Sequence, residues 1–221
     1  PYGFMKRKGR GVLVEMPDLK RILAVNVKYQ FKRPLLAAVV IVLLTPVFYN
    51  VSALSYSASA RPLELLLLWI GAALLTPVCL MESDNNIRDC IRVRRMNYYG
   101  ICLMRVVYSV AALLIMEGLF VLYMKLGQCD VGVWHFIGGS ASALFFGCLG
   151  FFTAGVTGTV IVGYMVQMIF YVMNYGLKDK IGVFYLFSMC TTGSFSEKWW
   201  LLLGSVVLMA GTFLGMRLRD R

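Results

Sequence analysis

LELLLLWIGAALLTPVCLM, residues 63–81, holds one charged side chain, Glu64, in its whole length. ESDNNIRDCIRVRRMNYYG, residues 82–100, follows at once with three acids and four arginines. A helix rises 1.5 Å per residue, so the first stretch is about 28 Å long, close to a hydrocarbon core of about 30 Å. The first therefore reads as a lipid span and the second as a watery connection. Reading the pair this way makes the fold a set of spans joined by short loops.

Five more runs fit that pattern: Leu35 to about Ser55, Ile101–Met124, about Val131 to Phe152, about Thr157 to Tyr175, and Trp199–Met216. The fourth and fifth spans are joined by TAGVTG, residues 153–158, whose glycines break one overlong run into two. The expected fold is all-α, with six transmembrane helices. Its parts are a basic segment over 1–34, a membrane domain over 35–216 and a basic tail over 217–221.

Composition agrees. The 221 residues are 59% hydrophobic and 15% charged, against about 25% charged in soluble domains. The net charge of +11 would suggest nucleic acid in a soluble protein, but every basic stretch here adjoins a span, so nucleic acid is not an expected partner. If six spans alternate, seventeen Lys and Arg share one side. They lie in the first segment, in the 88–105 stretch and in the tail. The other side holds Arg61, Lys125, Lys178, Lys180 and Lys198. The positive-inside bias then puts both termini in the cytoplasm.

MPDLKRILAVNVKYQFKRP, residues 16–34, gathers Leu19, Ile22, Leu23, Val27 and Tyr29 on one face and cations mostly on the other. It is expected to be an interfacial helix on anionic lipid, ended by Pro34, or a plain positive-inside anchor. The first apolar run comes after a long basic segment and has no small-residue cleavage site, so no signal peptide is expected.

The 81–100 strip has its own helical signals. Glu82, Ser83 and Asp84 suit a helix start. Asp84–Arg88 and Asp89–Arg92 are favourable i,i+4 and i,i+3 pairs. Ile87, Ile91 and Tyr98 form an apolar stripe, and Arg88, Arg92 and Arg95 a basic one. A turn between spans needs only a few residues. Lipid contact would explain the arginines but not the acids. A sided helix of mixed charge fits a groove on a soluble protein.

Chemistry-bearing patterns are sparse. GxxxxGK[ST], HExxH and a Ser-His-Asp set are absent from the sequence. Glu117 lies well inside the third span, and an intramembrane carboxylate is a functional candidate by default, lining a substrate path or pairing with a cation. Glu64, at the start of the second span, and His135, beside Trp134, are expected at the interface. The six cysteines show no metal-ligand spacing, so no metal site is expected. They are free thiols, or Cys129 and Cys190 are bonded on the outer side. The apolar stretch VFYLFSM, residues 183–189, is too short to span and reads as re-entrant or interfacial. GTFLG, residues 211–215, is a GxxxG match suited to close helix packing.

Over nearly its whole length the chain resembles the membrane subunits of ABC-2-type ABC transporters. The resemblance rests on KRILAVNVKYQFKRP leading into the first span and on MESDNNIRDCIRVRRMNYYGICLMR, with an acid ending span two, a mixed-charge helix and Arg105 early in span three. A short inner loop between spans four and five and an apolar outer element before span six add to it. The outer loops are too short for the large extracytoplasmic domain that some members carry. The resemblance implies a coupling helix containing Glu82, Asp84, Ile87, Arg88, Asp89, Ile91, Arg92 and Arg95, seated in a cleft of an ATP-binding cassette ATPase subunit. It implies a second membrane subunit, identical or related. ATP and Mg would sit in the ATPase, with no cofactor in this chain. It further implies a non-catalytic, multi-pass subunit of the cell membrane, the bacterial cytoplasmic membrane, exporting a hydrophobic or amphipathic peptide, lipid or drug. An intramembrane enzyme built around Glu117, or a scaffold or channel without an ATPase, are the alternatives.

Overall fold

The computed structural model describes residues 31–52, 54–78, 98–177, 182–191, 193 and 195–219. The interfacial helix expected within 16–34 lies almost wholly outside these residues, and the coupling-helix residues Glu82 to Arg95 lie entirely outside them. Among the described residues there are helices and connections and no strand. The elements are α1 (Lys32–Phe48), α2 (Tyr56–Val78), α3 (Tyr98–Leu126), α4 (Val133–Thr157), α5 (Val160–Leu177), the single turn α6 (Ser188–Thr191) and α7 (Ser196–Arg219).

Five of these helices are long and apolar enough to cross a membrane: α2, α3, α4, α5 and α7 up to Gly215. The first expected span is shorter than its apolar run. It covers 17 residues, about 25 Å at 1.5 Å per residue. Pro46 lies inside its last turn, and the helix runs on to Phe48, ending just before the polar Asn50. Pro34 lies in the first turn of α1, where an amide has no intrahelical acceptor anyway. It stands just before Leu35, where the first apolar run was expected to begin.

The second span starts seven residues earlier than its apolar run. Tyr56–Pro62, YSASARP, is helical although it is small and polar. Pro62 cannot continue the i→i−4 ladder, and the helix widens into a π stretch at Leu63–Leu67 before resuming as α-helix at Leu68. The widened turn carries Glu64.

α4 is the central helix, packed against α2, α5 and α7. Its sequence explains the closeness of the neighbours. A Cβ on Gly71 of α2 would collide with the backbone of Ala143, and one on Gly147 would lie 2.6 Å from the Gly71 carbonyl oxygen. On the α5 side, a Cβ on Gly163 would lie 2.8 Å from the Gly150 oxygen. Gly211 and Gly215 of the GTFLG match face Phe152 and Val156 of α4. These small residues let backbones approach where packing, not water exclusion, must hold helices together. α4 runs through Thr157 and stops at Gly158, whose φ of 75° is a left-handed C-cap. The TAGVT part of the expected linker is therefore helical.

Hydrogen bonds fix the helix directions. The Asp130 amide donates to the Leu54 oxygen at 3.0 Å, so α3 ends where α2 begins. The His135 ring bonds the Tyr56 oxygen at 2.9 Å, so α2 and α4 start together. The starts of α2, α4 and α7 and the ends of α3 and α5 make one end of the bundle, here called upper. Val78, Tyr98, the Gly158 turn and Gly215 make the lower end. The strip over 79–97 joins α2 to α3 at that lower end. On the outside of the bundle, Leu103, Val107, Ile115, Leu119, Ile161, Met165, Ile169, Leu203 and Val206 are exposed, as lipid-facing side chains require. Trp134, Trp199 and Trp200 are exposed at the upper end, a place suited to a membrane interface.

Candidate functional site

Four charged side chains are buried among the described residues: Glu64, Arg105, Glu117 and Lys198. Two of them meet. Lys198 Nζ lies 2.5 Å from Glu64 Oε1, both fully enclosed. Glu64, expected at the interface, is enclosed by helices, and Lys198, counted among the charges of the other side, lies in the first turn of α7 and points inward. The π stretch turns Glu64 into the bundle from α2, and the first turn of α7 sends the lysine chain in to meet it.

Each group is saturated. Glu64 Oε1 also accepts the Met189 amide at 3.1 Å, and Oε2 accepts the Cys190 amide at 3.0 Å. Lys198 donates to the Leu186 oxygen at 2.6 Å and to Ser142 Oγ at 2.7 Å. The Leu186 amide donates in turn to Asn174 Oδ1 of α5 at 3.0 Å. One ion pair thus binds α2, α4, α5 and α7 to the segment Gly182–Thr191. Tyr185, Leu186, Phe187 and Met189 of that segment are buried. The segment is short enough to leave several amides and carbonyls without helix partners, and side chains from the surrounding helices satisfy them. Gly138 of α4 leaves room for Met189, whose sulfur a Cβ there would strike.

Ser142 beside Lys198 invites comparison with a nucleophile and its base. The donor count argues against that role. The ammonium has three hydrogens, and Glu64, Ser142 and the Leu186 carbonyl take them. A general base needs a free lone pair aimed at the hydroxyl. This lysine is a three-way tie.

Other polar groups inside the bundle are tied in the same manner. Gln167 of α5 donates to the Phe146 oxygen at 2.7 Å and accepts from Thr76 at 3.1 Å. Tyr171 donates to the Leu65 oxygen in the widened turn at 3.3 Å. His135, expected at the interface, is buried. Its Nδ1 accepts the Gly132 amide at 3.3 Å while Nε2 faces the Tyr56 oxygen. That pairing assigns the proton to Nε2 and makes the ring a clamp between α2 and α4. Cys129 and Cys190 are both free. Burial pushes the Cys190 thiol up to about 12, with the Glu64 carboxylate adding to the effect.

Glu117 is the contrast. It is buried in α3, and neither carboxylate oxygen has a hydrogen-bond partner. The expected cation on a neighbouring helix is not beside it among the described residues. Ser109, two turns earlier on the same face, is also buried with its hydroxyl unpartnered. The structure therefore separates two carboxylates of similar burial: Glu64 holds the fold together, and Glu117 holds nothing. Sequence reasoning singled out Glu117 from its depth in an apolar run. It missed Glu64 with Lys198, because a pairing across 134 positions leaves no periodic trace. Comparison of the chain with protein-family models, curated proteins and solved structures finds no match.

Proposed function

We propose that the chain is the membrane-spanning subunit of an ATP-driven transporter of the ABC-2 type, exporting a hydrophobic or amphipathic substrate such as a peptide, lipid or drug. α1 is the remaining span, giving six with both termini in the cytoplasm. Its short length is met by local bilayer thinning. ATP and Mg belong to a separate ATPase subunit, and a second membrane subunit completes the pore. The chain itself performs no chemistry.

The observation that carries this reading is the division of the bundle into unlike ends. At the upper end, Gly182–Thr191 is locked among four helices by Glu64 and Lys198. At the lower end, α2 and α3 are joined by the strip that carries Glu82, Asp84, Ile87, Arg88, Asp89, Ile91, Arg92 and Arg95. A partner that pushes on the strip pushes on the lower ends of α2 and α3. α2 carries Glu64 at its other end, so a force applied below bears on the lock above. Packed helices transmit such displacement because their interfaces switch between discrete arrangements. A scaffold has no need of this arrangement, and the saturated Lys198 gives an enzyme no base.

Capture of the native complex from its own membranes in mild detergent is expected to recover an ATP-binding chain in about equal amount with this one. Recovery of this chain alone, under conditions that preserve its helical fold, contradicts the proposal.

A further inference from the structure

Buried polar atoms without partners are few in folded proteins, and each asks for an explanation. Those of Glu117 and Ser109 lie together on one face of α3. That face runs from Arg105 and Val106 at its lower part through Ser109, Leu113, Glu117, Phe120 and Met124, all buried. The opposite face, with Val107, Ile115, Leu119 and Leu122, is exposed and apolar. The helix therefore turns its polar atoms away from lipid and toward the interior.

Glu117 stands nine residues from the upper end of α3, about 13 Å along the axis. Ser109 is about 12 Å further down. Around the carboxylate the chemistry is specific. Phe120 follows one turn later on the same face, and Phe136 of α4 packs at the adjacent Gly118, 3.7 Å from where its Cβ would stand. An unpaired buried carboxylate is suited to pair with an ammonium group, and aromatic side chains on the same stretch of α3 and α4 can add cation–π attraction. A proton alone does not complete the site. A carboxylic acid there would still hold an O–H donor and an acceptor with no partner, and unpaired buried polar groups cost about 1–3 kcal/mol each. The Glu64 carboxylate is satisfied by Lys198 and two backbone amides, whereas among the described residues nothing partners Glu117, and its place is open to a ligand.

We propose that the inward face of α3 recognises the ammonium group of an amphipathic amine, with Glu117 as its counter-ion and the Ser109 hydroxyl as a second contact along the molecule. This deepens the transport reading and rests on it, naming the substrate as a lipophilic cation. The apolar neighbours Leu113 and Met124 take its hydrocarbon part. The site opens when the helices part, and in the closed arrangement described here it is shut off from solvent.

The test uses the full chain in lipid nanodiscs with two probes of equal length, radiolabelled dodecylamine and dodecanol. The wild type is expected to bind the amine at least tenfold more tightly than the alcohol. Glu117→Gln, which keeps the shape and removes the charge, is expected to abolish that preference while leaving alcohol binding unchanged. Glu117→Asp is expected to keep it, and serves as the folded control should Glu117→Gln not insert. Equal binding of amine and alcohol to the wild type overturns the proposal, as does an unchanged preference in Glu117→Gln. Neither result depends on an ATPase partner, so failure here and failure of the transport reading are told apart by whether native capture still brings down an ATP-binding chain.

Discussion

Lys198→Met is expected to cost the folded chain about 3–5 kcal/mol, the penalty for stranding one member of a buried ion pair. The substitution nearly preserves volume, so packing loss is small. What remains is the Glu64 carboxylate, enclosed by α2, α4 and α7 and facing only the Met189 and Cys190 amides. The Leu186 carbonyl and the Ser142 hydroxyl lose their donor as well. The loss should appear as a lowered midpoint in detergent-induced unfolding. It should also appear as faster hydrogen exchange at the Met189 and Cys190 amides. Adding Glu64→Gln to Lys198→Met removes the stranded charge and should recover part of the loss, a non-additivity that marks direct contact. An unchanged midpoint for Lys198→Met would show that the pair does not hold the segment.

Arg92→Glu with Arg95→Glu is expected to reduce recovery of the ATP-binding chain with this one by tenfold or more. Like charges opposed across an interface cost several kcal/mol, and each 1.4 kcal/mol is a factor of ten. The two residues lie on the basic stripe of the strip, so reversal inverts its field without touching Ile87 and Ile91. Arg61→Glu is the matched control. It reverses an exposed arginine at the upper end, and recovery should not change. Equal loss in both variants would point to a general effect of charge on insertion.

Much of the bundle was legible in the sequence because lipid demands long apolar helices and little else satisfies that demand. Five of six expected runs became helices long enough to cross. Where the reading slipped, a proline or a glycine stands close by. Pro46 sits in the last turn of an α1 that ends at Phe48, Pro62 precedes a π turn inside α2 where a helix start was expected, and Gly158 with Thr159 replaces the expected six-residue linker. The candidate site was half legible. Depth in an apolar run is a one-dimensional property and exposed Glu117. The tie between Glu64 and Lys198 depends on how α2, α4 and α7 come together, and a lysine two residues into a helix looks like any interfacial cation until its partner is placed. His135 lies at the upper end beside the exposed Trp134, but its imidazole turns inward to Tyr56, a contact the sequence does not show.

The strip between α2 and α3 is proposed to receive force from an ATP-hydrolysing partner. A photo-crosslinking amino acid at position 91, in place of Ile91, tests it in native membranes. Irradiation should join this chain covalently to an ATP-binding polypeptide, and the adduct should change in yield when ATP is added. Adducts with lipid or with a second copy of this chain alone would show that no ATP-binding partner docks on the strip.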